Sequence, residues 1–230
     1  MLDMFDVIGI IHFGIAGNVN SSMSIGDVSI PREFANTGIW DWLKSNATIP
    51  SNDVAHLKFG NYNVPKGAND LGDVGFTTEQ FYDSKTPNDV QEKFWFASNK
   101  KWLRLASLLQ GMKLEKCVNS TFCLDQDPKL IVGLKGSTSE FFVANAAYRQ
   151  FLFNTFQVSS ADMESSAVVM TCLSNGYPVI VIRSLSDLAG AEDGENVVSL
   201  FGGLAATNAA KVVIAFIKIV SLNSSKLFFT

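Results

Sequence analysis

Two short stretches place carboxylates where chemistry could be done: "SSADMES" at residues 159–165, with Asp162 and Glu164, and "RSLSD" at 183–187, ending on Asp187. Asp187 closes the β-branched run "VIVIRSL", and in an α/β sheet ligands gather in the crevice outside the carboxyl ends of the strands. A reacting group belongs there, although a carboxylate capping the next loop is the plainer reading. Two further loops leave apolar runs: "GIAGN" at 14–18, a glycine-flanked turn, and "GSTSEFF" at 136–142, which carries the aromatic pair Phe141 and Phe142. Each signal is weak, but carboxylates in two loops, aromatics in a third and a tight turn in a fourth would together make a small-molecule site.

The elements that must carry these loops follow from periodicity. Residues 6–14, "DVIGIIHFG", read as a buried strand ending in glycine, and "IGDVSIP" at 25–31 as a short strand stopped by Pro31. Residues 32–86, rich in Gly, Asn, Asp and Pro, predict short strands and long surface loops. Thr86 as a cap, Pro87 at the first helical position and Asp89 in the first turn predict a helix up to Gly111 that buries Phe94, Leu103, Leu105, Leu108 and Leu109. "KLIVGLKG" at 129–136 reads as the next buried strand, and Ser137 with Glu140 has the spacing of a capping box for a helix through Phe151. A helix over 162–175 with apolar Met163, Ala167, Met170 and Leu173 stops at Gly176; the strand "PVIVIRSL" and a helix from 204 to 222 complete the chain. Strands and helices alternate without internal repeat or low-complexity tract, which predicts one α/β domain over residues 1–230 with a mostly buried sheet.

Composition narrows the partners. The 230 residues are 47% hydrophobic, ample for a core, whereas only 17% are charged and the net charge is −4. The longest basic cluster is Lys100-Lys101, so a nucleic-acid surface is excluded and a small-molecule or protein partner favoured. Asn208, Lys211 and Lys218 share one face of the last helix, which predicts a helix lying on the sheet rather than crossing a membrane. Cys172 sits in an apolar helical run and reads as a buried thiol. Cys117 and Cys123 bracket "VNSTF", a loop that a disulfide could close and that carries the glycosylation triplet at Asn119; further triplets begin at Asn20, Asn46 and Asn223. Four triplets and a disulfide candidate point to the secretory pathway, extracellular or vacuolar, for a full-length form. The start, "MLDMFDVIGII", has two acidic residues and no basic one ahead of its apolar run, unlike a signal peptide.

In order and spacing, "HFGIAGN…IGDVSIP", "GLKGSTSEFF" and "SADMESSAVVMTCLSNGYPVIVIRSLSD" resemble the purine nucleoside phosphorylase and 5′-methylthioadenosine/S-adenosylhomocysteine nucleosidase superfamily. "HFGIAGN" and "CVNSTFC" are closer still to its plant branch of bark, or vegetative, storage proteins, and the likeness runs from residue 6 onward. It implies a three-layer α/β sandwich around a central mixed sheet, a homo-oligomer, and cleavage of the N-glycosidic bond of purine nucleosides by phosphate or water. No metal or cofactor is implied beyond phosphate as a candidate co-substrate. Cleavage passes through a cationic ribosyl transition state, so the departing base needs a proton. The matching acid is Asp187, whose proton burial would retain and a hydrogen bond from Ser186 would tune.

By the same resemblance Glu164 binds the ribose hydroxyls and Met163 packs on the sugar, with an ordinary helix-start glutamate and a core methionine as the rival readings. Phe141 stacks on the purine and Phe142 offers backbone groups to the base edge, while Ala16 and Gly17 bring backbone close to ribose and nucleophile. Two positions depart from the family pattern. His12 stands where phosphorylases have a phosphate-binding arginine and is read as a satisfied core histidine; Ile15 stands where nucleosidases have a small hydroxyl residue. The family also has a leading strand and glycine loop that supply the nucleophile side of the site. Residues matching them are expected to be absent here, leaving an uncovered sheet edge and a chain that is marginal or oligomer-dependent. The alternative functions are a storage protein with a vestigial pocket and a non-catalytic binder of an adenine derivative or cytokinin.

Overall fold

In a computed structural model that describes residues 4–44, 53–58, 71–191 and 197–225, the apolar runs assemble around one large sheet. β1 (Ile10–Asn18) is followed by β2 (Val28–Ile30) and β3 (Glu33–Asn36), which flank Pro31. β4 (Trp40–Lys44), β5 (Ala55–Lys58) and β6 (Leu71–Phe76) form a small antiparallel sheet, and β7 (Glu79–Asp83) with β8 (Thr86–Lys93) a hairpin. β9 (Trp95–Ala97), α1 (Lys100–Ser107), β10 (Leu130–Val132), β11 (Lys135–Thr138) and α2 (Ala146–Phe156) come next. The chain continues through β12 (Val158–Asp162), α3 (Ser165–Ser174), β13 (Val179–Leu188) and α4 (Val198–Ser225).

The large sheet has the order β10-β2-β13-β1-β12-β11-β3-β9 and mixes parallel with antiparallel pairs. Successive residues of β13 point to opposite faces and so sort the layers. Ile180 and Ile182 pack with Trp102 of α1 and with Val212 and Phe216 of α4, while Val179 and Val181 pack with Val169 and Cys172 of α3. α2 adds Leu152 and Phe156 to a cluster with Val158, Ala35 and Phe76. The result is the expected α/β three-layer sandwich with a central mixed sheet.

Several local signals lose to non-local pairing. Residues 86–93 are not helical: β8 is the outer arm of a hairpin turned by Asp83, whose Oδ1 accepts from Lys85 N at 2.8 Å. Pro87 and Asp89 mimic a helix start on a strand that has almost no buried face, and the helix begins later, with Asn99 Oδ1 accepting from Trp102 N. Phe94 is buried as expected, but Leu108 is exposed. The run 129–136 is two strands. Gly133, at φ +97°, lets the chain leave β10, which pairs with β2, and enter β11 between β12 and β3. Ser137 therefore lies in β11 rather than capping a helix, and the true cap is Asn145, which accepts from Tyr148 N at 2.8 Å.

α4 is long and apolar enough, by length and composition, to cross a membrane. Here one face lies on β13 and β1 as expected, and the buried Asn208 accepts from Glu115 N at 2.6 Å while donating to Glu115 O at 2.9 Å. A disulfide closes the Cys117–Cys123 loop, and Cys172 is buried and free. Asn119 is exposed, but Asn20 is buried with its amide donating to Ser159 Oγ at 3.1 Å, so its triplet offers no accessible glycosylation site. The Asn46 triplet lies outside the described residues.

β1 is central yet incompletely paired. Among the described strands β12 meets it only at Gly17 and Asn18, so over residues 10–16 its ladder has a partner on the β13 side alone. Phe13 on this stretch is 49% exposed, and Met4, Phe5 and Ile8 just before it are exposed too. An uncharged apolar edge is a template for another strand. The chain is expected to self-associate at micromolar concentration, and Phe13→Lys to shift it toward monomer at a stability cost of no more than about 1 kcal/mol. Light scattering against concentration checks this; a wild type that stays monomeric throughout would contradict it.

Candidate active site

The site forms where two parallel strand pairs meet head-on. β1 with β13 and β11 with β12 each run parallel, and β1 and β12 cross antiparallel only at their ends, Gly17 opposite Ala161 and Asn18 opposite Ser160. Four carboxyl ends thus converge on one crevice, and strand ends are where side chains escape the ladder and reach a ligand. The crevice is lined by Gly17, Phe141, Phe142, Val143, Ala161, Asp162, Met163, Asp187 and Ala189.

Asp187 belongs to the end of β13 rather than to a loop after it. Ala16 pairs with Leu185 and Gly17 with Asp187, so Ser186 is an extra residue in the ladder. Such a bulge bends the strand and re-aims the side chain beside it. Asp187 is 6% exposed, and burial pushes its pKa up from the ordinary carboxylate value. Ser186 Oγ, 2.7 Å from Asp187 Oδ1, opposes that shift by favouring the anion. The same hydroxyl lies 3.3 Å from Ala16 O, so its one hydrogen serves either partner.

Beside the crevice lies a buried ionic cluster centred on Arg183, four residues before Asp187. Arg183 Nε donates to Ser165 Oγ at 3.1 Å and stands equally close to Asp162 Oδ2. Nη1 donates to Ile15 O at 3.2 Å, and Nη2 lies 2.9 Å from Glu164 Oε2 and 2.6 Å from His12 Nε2. Gly14 makes room for this: a Cβ there would collide with Arg183 Nη1. Asp162 also organises the start of α3, its Oδ1 accepting from Glu164 N, Ser165 N and Thr138 Oγ1. Thr138 Oγ1 in turn accepts from Ser166 N at 3.0 Å. His12 is half-buried and partnered; burial and the Arg183 charge lower its pKa against the opposing pull of Asp162 and Glu164.

Of the residues singled out from sequence, Asp187, Met163, Phe141, Phe142 and Gly17 come together as crevice walls. Ala16 and Ser186 sit behind the wall, buried, and touch the site through their hydrogen bonds with each other and with Asp187. Glu164 is outside the wall, at the rim, its side chain 59% exposed and held by Arg183. It is the N-cap residue of α3 but makes no capping bond; Asp162 does that work. Phe141 is tilted against Tyr148 with ring centroids 5.5 Å apart. Asp162 and Arg183 form a buried pair that the sequence motifs do not name. The signal was present, since an arginine inside an otherwise apolar strand must have a buried counter-charge. Among the described residues no three metal-ligating side chains cluster.

The profile of the phosphorylase superfamily matches residues 1–218. Bark storage protein A of Populus deltoides, a plant protein, is 37% identical over 221 residues, covering 94% of this chain and 67% of the relative. Among solved structures, the 5′-methylthioadenosine/S-adenosylhomocysteine nucleosidase of S. pneumoniae, bound to a transition-state inhibitor, superposes with a TM-score of 0.59 at 21% identity, covering 95% of this chain and 72% of the other. The corresponding nucleosidase of Colwellia psychrerythraea, bound to adenine, gives 0.59 at 19% identity, covering 95% and 69%. The structural likeness, at these identities, is one of fold.

Proposed function

The chain belongs to the phosphorylase superfamily, and from that premise we propose that it binds a purine nucleoside in the Asp187 crevice and cleaves its N-glycosidic bond. The observation that carries this reading is a carboxyl group buried at a strand end, where desolvation favours its protonated form, in a crevice walled on one side by aromatic rings. The purine lies against Phe141, with Phe142 beside its edge. In its protonated form, which burial favours, Asp187 gives its proton to N7 as the bond to the sugar lengthens, so the base departs neutral. Positive charge grows on the ribose at the same moment. Glu164 accepts hydrogen bonds from the sugar hydroxyls and its negative charge favours that cation; Met163 supplies apolar contact to the ring. Ala16 and Gly17 offer backbone beside the sugar, and Ser186 sets how readily Asp187 releases its proton.

The 37% identity to bark storage protein A favours a second reading, a protein accumulated for its nitrogen that retains the pocket in vestigial form. A third is an adenine-derivative binder without turnover. The separating experiment incubates the full chain with adenosine, inosine or methylthioadenosine, with and without phosphate, and follows free base by chromatography alongside calorimetric binding. Base release supports the enzyme, and its dependence on phosphate distinguishes phosphorolysis from hydrolysis. Binding without release supports the binder, and neither supports storage.

A further inference from the structure

Arg183 Nη2 has two hydrogens and two partners, Glu164 Oε2 at 2.9 Å and His12 Nε2 at 2.6 Å. A guanidinium has no lone pair to offer, so at this contact the imidazole must accept. His12 is therefore neutral, with its proton on Nδ1. The rest of the guanidinium is fixed through Ser165 Oγ and Ile15 O, and His12 occupies the remaining hydrogen of Nη2, leaving the other directed at Glu164. Glu164 is 59% exposed, and among the described residues its carboxylate is held by Arg183. An exposed glutamate held in one rotamer loses less entropy when it takes hold of a ligand.

We propose that neutral His12 is a positioning residue for the sugar half of the site: it orients Arg183, which orients Glu164, and protonation of His12 releases that grip on the ribose. This rests on Glu164 being the ribose ligand. The charged groups facing His12 are Arg183 from β13, Asp162 from the end of β12 and Glu164 from the start of α3. When the imidazole gains a proton, Nε2 can no longer accept, two cations abut, and the imidazolium becomes a rival donor to the Glu164 carboxylate. Because the folded protein holds the His12 pKa below 6.5, the ordered arrangement is complete above that value and is lost as pH falls through the lowered one. Asp187 acts in the opposite sense, since acid fills its donor. A fall in affinity on acidification is therefore the signature of His12 and not of Asp187.

The test uses the full chain and calorimetric titration of adenosine and of adenine from pH 8 down to pH 5, for wild type, His12→Gln and His12→Leu. One charge-assisted hydrogen bond corresponds to a change on the order of tenfold. Wild-type affinity for adenosine is expected to fall by about that factor on acidification while affinity for adenine does not. His12→Gln, whose amide oxygen accepts at every pH, is expected to retain most of the wild-type affinity at neutral pH and to lack the fall. His12→Leu binds adenosine weakly throughout. In ¹⁵N spectra the neutral form of His12 carries its proton on Nδ1. An acid fall in His12→Gln equal to that of wild type, or a neutral tautomer protonated on Nε2, overturns the proposal alone. Binding of neither ligand at any pH overturns the nucleoside reading and this one with it. If His12→Leu does not fold, the His12→Gln profile still decides.

Discussion

On the proposed mechanism, Asp187→Asn is expected to lower the release of base from a bound nucleoside by about 10²- to 10⁴-fold, the usual contribution of a positioned general acid, and to leave nucleoside affinity within about threefold. The substitution keeps the shape of the side chain and an oxygen that can accept from Ser186, which lies 2.7 Å from Asp187 Oδ1 in the native site. An amide can still offer a hydrogen bond to the base nitrogen, so binding persists, but it has no proton to surrender as the bond breaks. In the proposed mechanism the same group sets the pH dependence of release by the unsubstituted protein. Burial raises its pKa and the donor is the protonated form, so release is expected to be fastest below the raised value and to decline as pH rises through it. An unperturbed aspartate would have lost its proton above about pH 3.9. Chromatographic measurement of free base under single-turnover conditions, with affinity measured separately, checks both statements. Turnover equal to wild type in Asp187→Asn would remove Asp187 from the mechanism.

Arg183→Met is expected to destabilise the fold by roughly 3–5 kcal/mol, the usual loss when one member of a buried ion pair is removed. The Arg183 and Asp162 side chains are 4% and 1% exposed, so solvent screens their attraction little. Without the guanidinium, Asp162 keeps Thr138 and two backbone amides but faces no cation, and His12 and Ser165 lose their partners as well. The contact to the exposed Glu164 contributes little to stability. For a chain of this size the loss corresponds to a melting temperature lower by roughly 6–20 °C. Adding Asp162→Asn to Arg183→Met should cost less than the sum of the two single changes, because the two residues share one interaction. Urea titration of the four proteins measures the cycle. Strict additivity, or a loss below about 1 kcal/mol for Arg183→Met, would show that the cluster does not hold the strand ends together.

The sequence by itself determined the apolar strand that carries Asp187, the buried Cys172, the helix stop at Gly176 and the apolar last helix. In each of these, burial is written in a contiguous run of residues or in one period of a helix. It also singled out Asp187, Met163, Phe141, Phe142 and Gly17, which the fold brings to one crevice. What it could not express was partnership. Pro87 with Asp89, and Ser137 with Glu140, are start signals that a helix and a strand end can both carry, and the hairpin β7–β8 and the insertion of β11 beside β12 overrode them. Asp162 and Arg183 lie in different strands and become a pair only because β12 and β13 flank β1 in the sheet. The bulge at Ser186 exists because β13 and β1 fall out of step by one residue, which neither strand encodes alone. The open edge of β1 likewise depends on where β12 turns away, at Asp162. Local periodicity records how much of a residue is buried; which charge it meets there, and which way a carboxylate points, is set by strand register, a property of two segments at once.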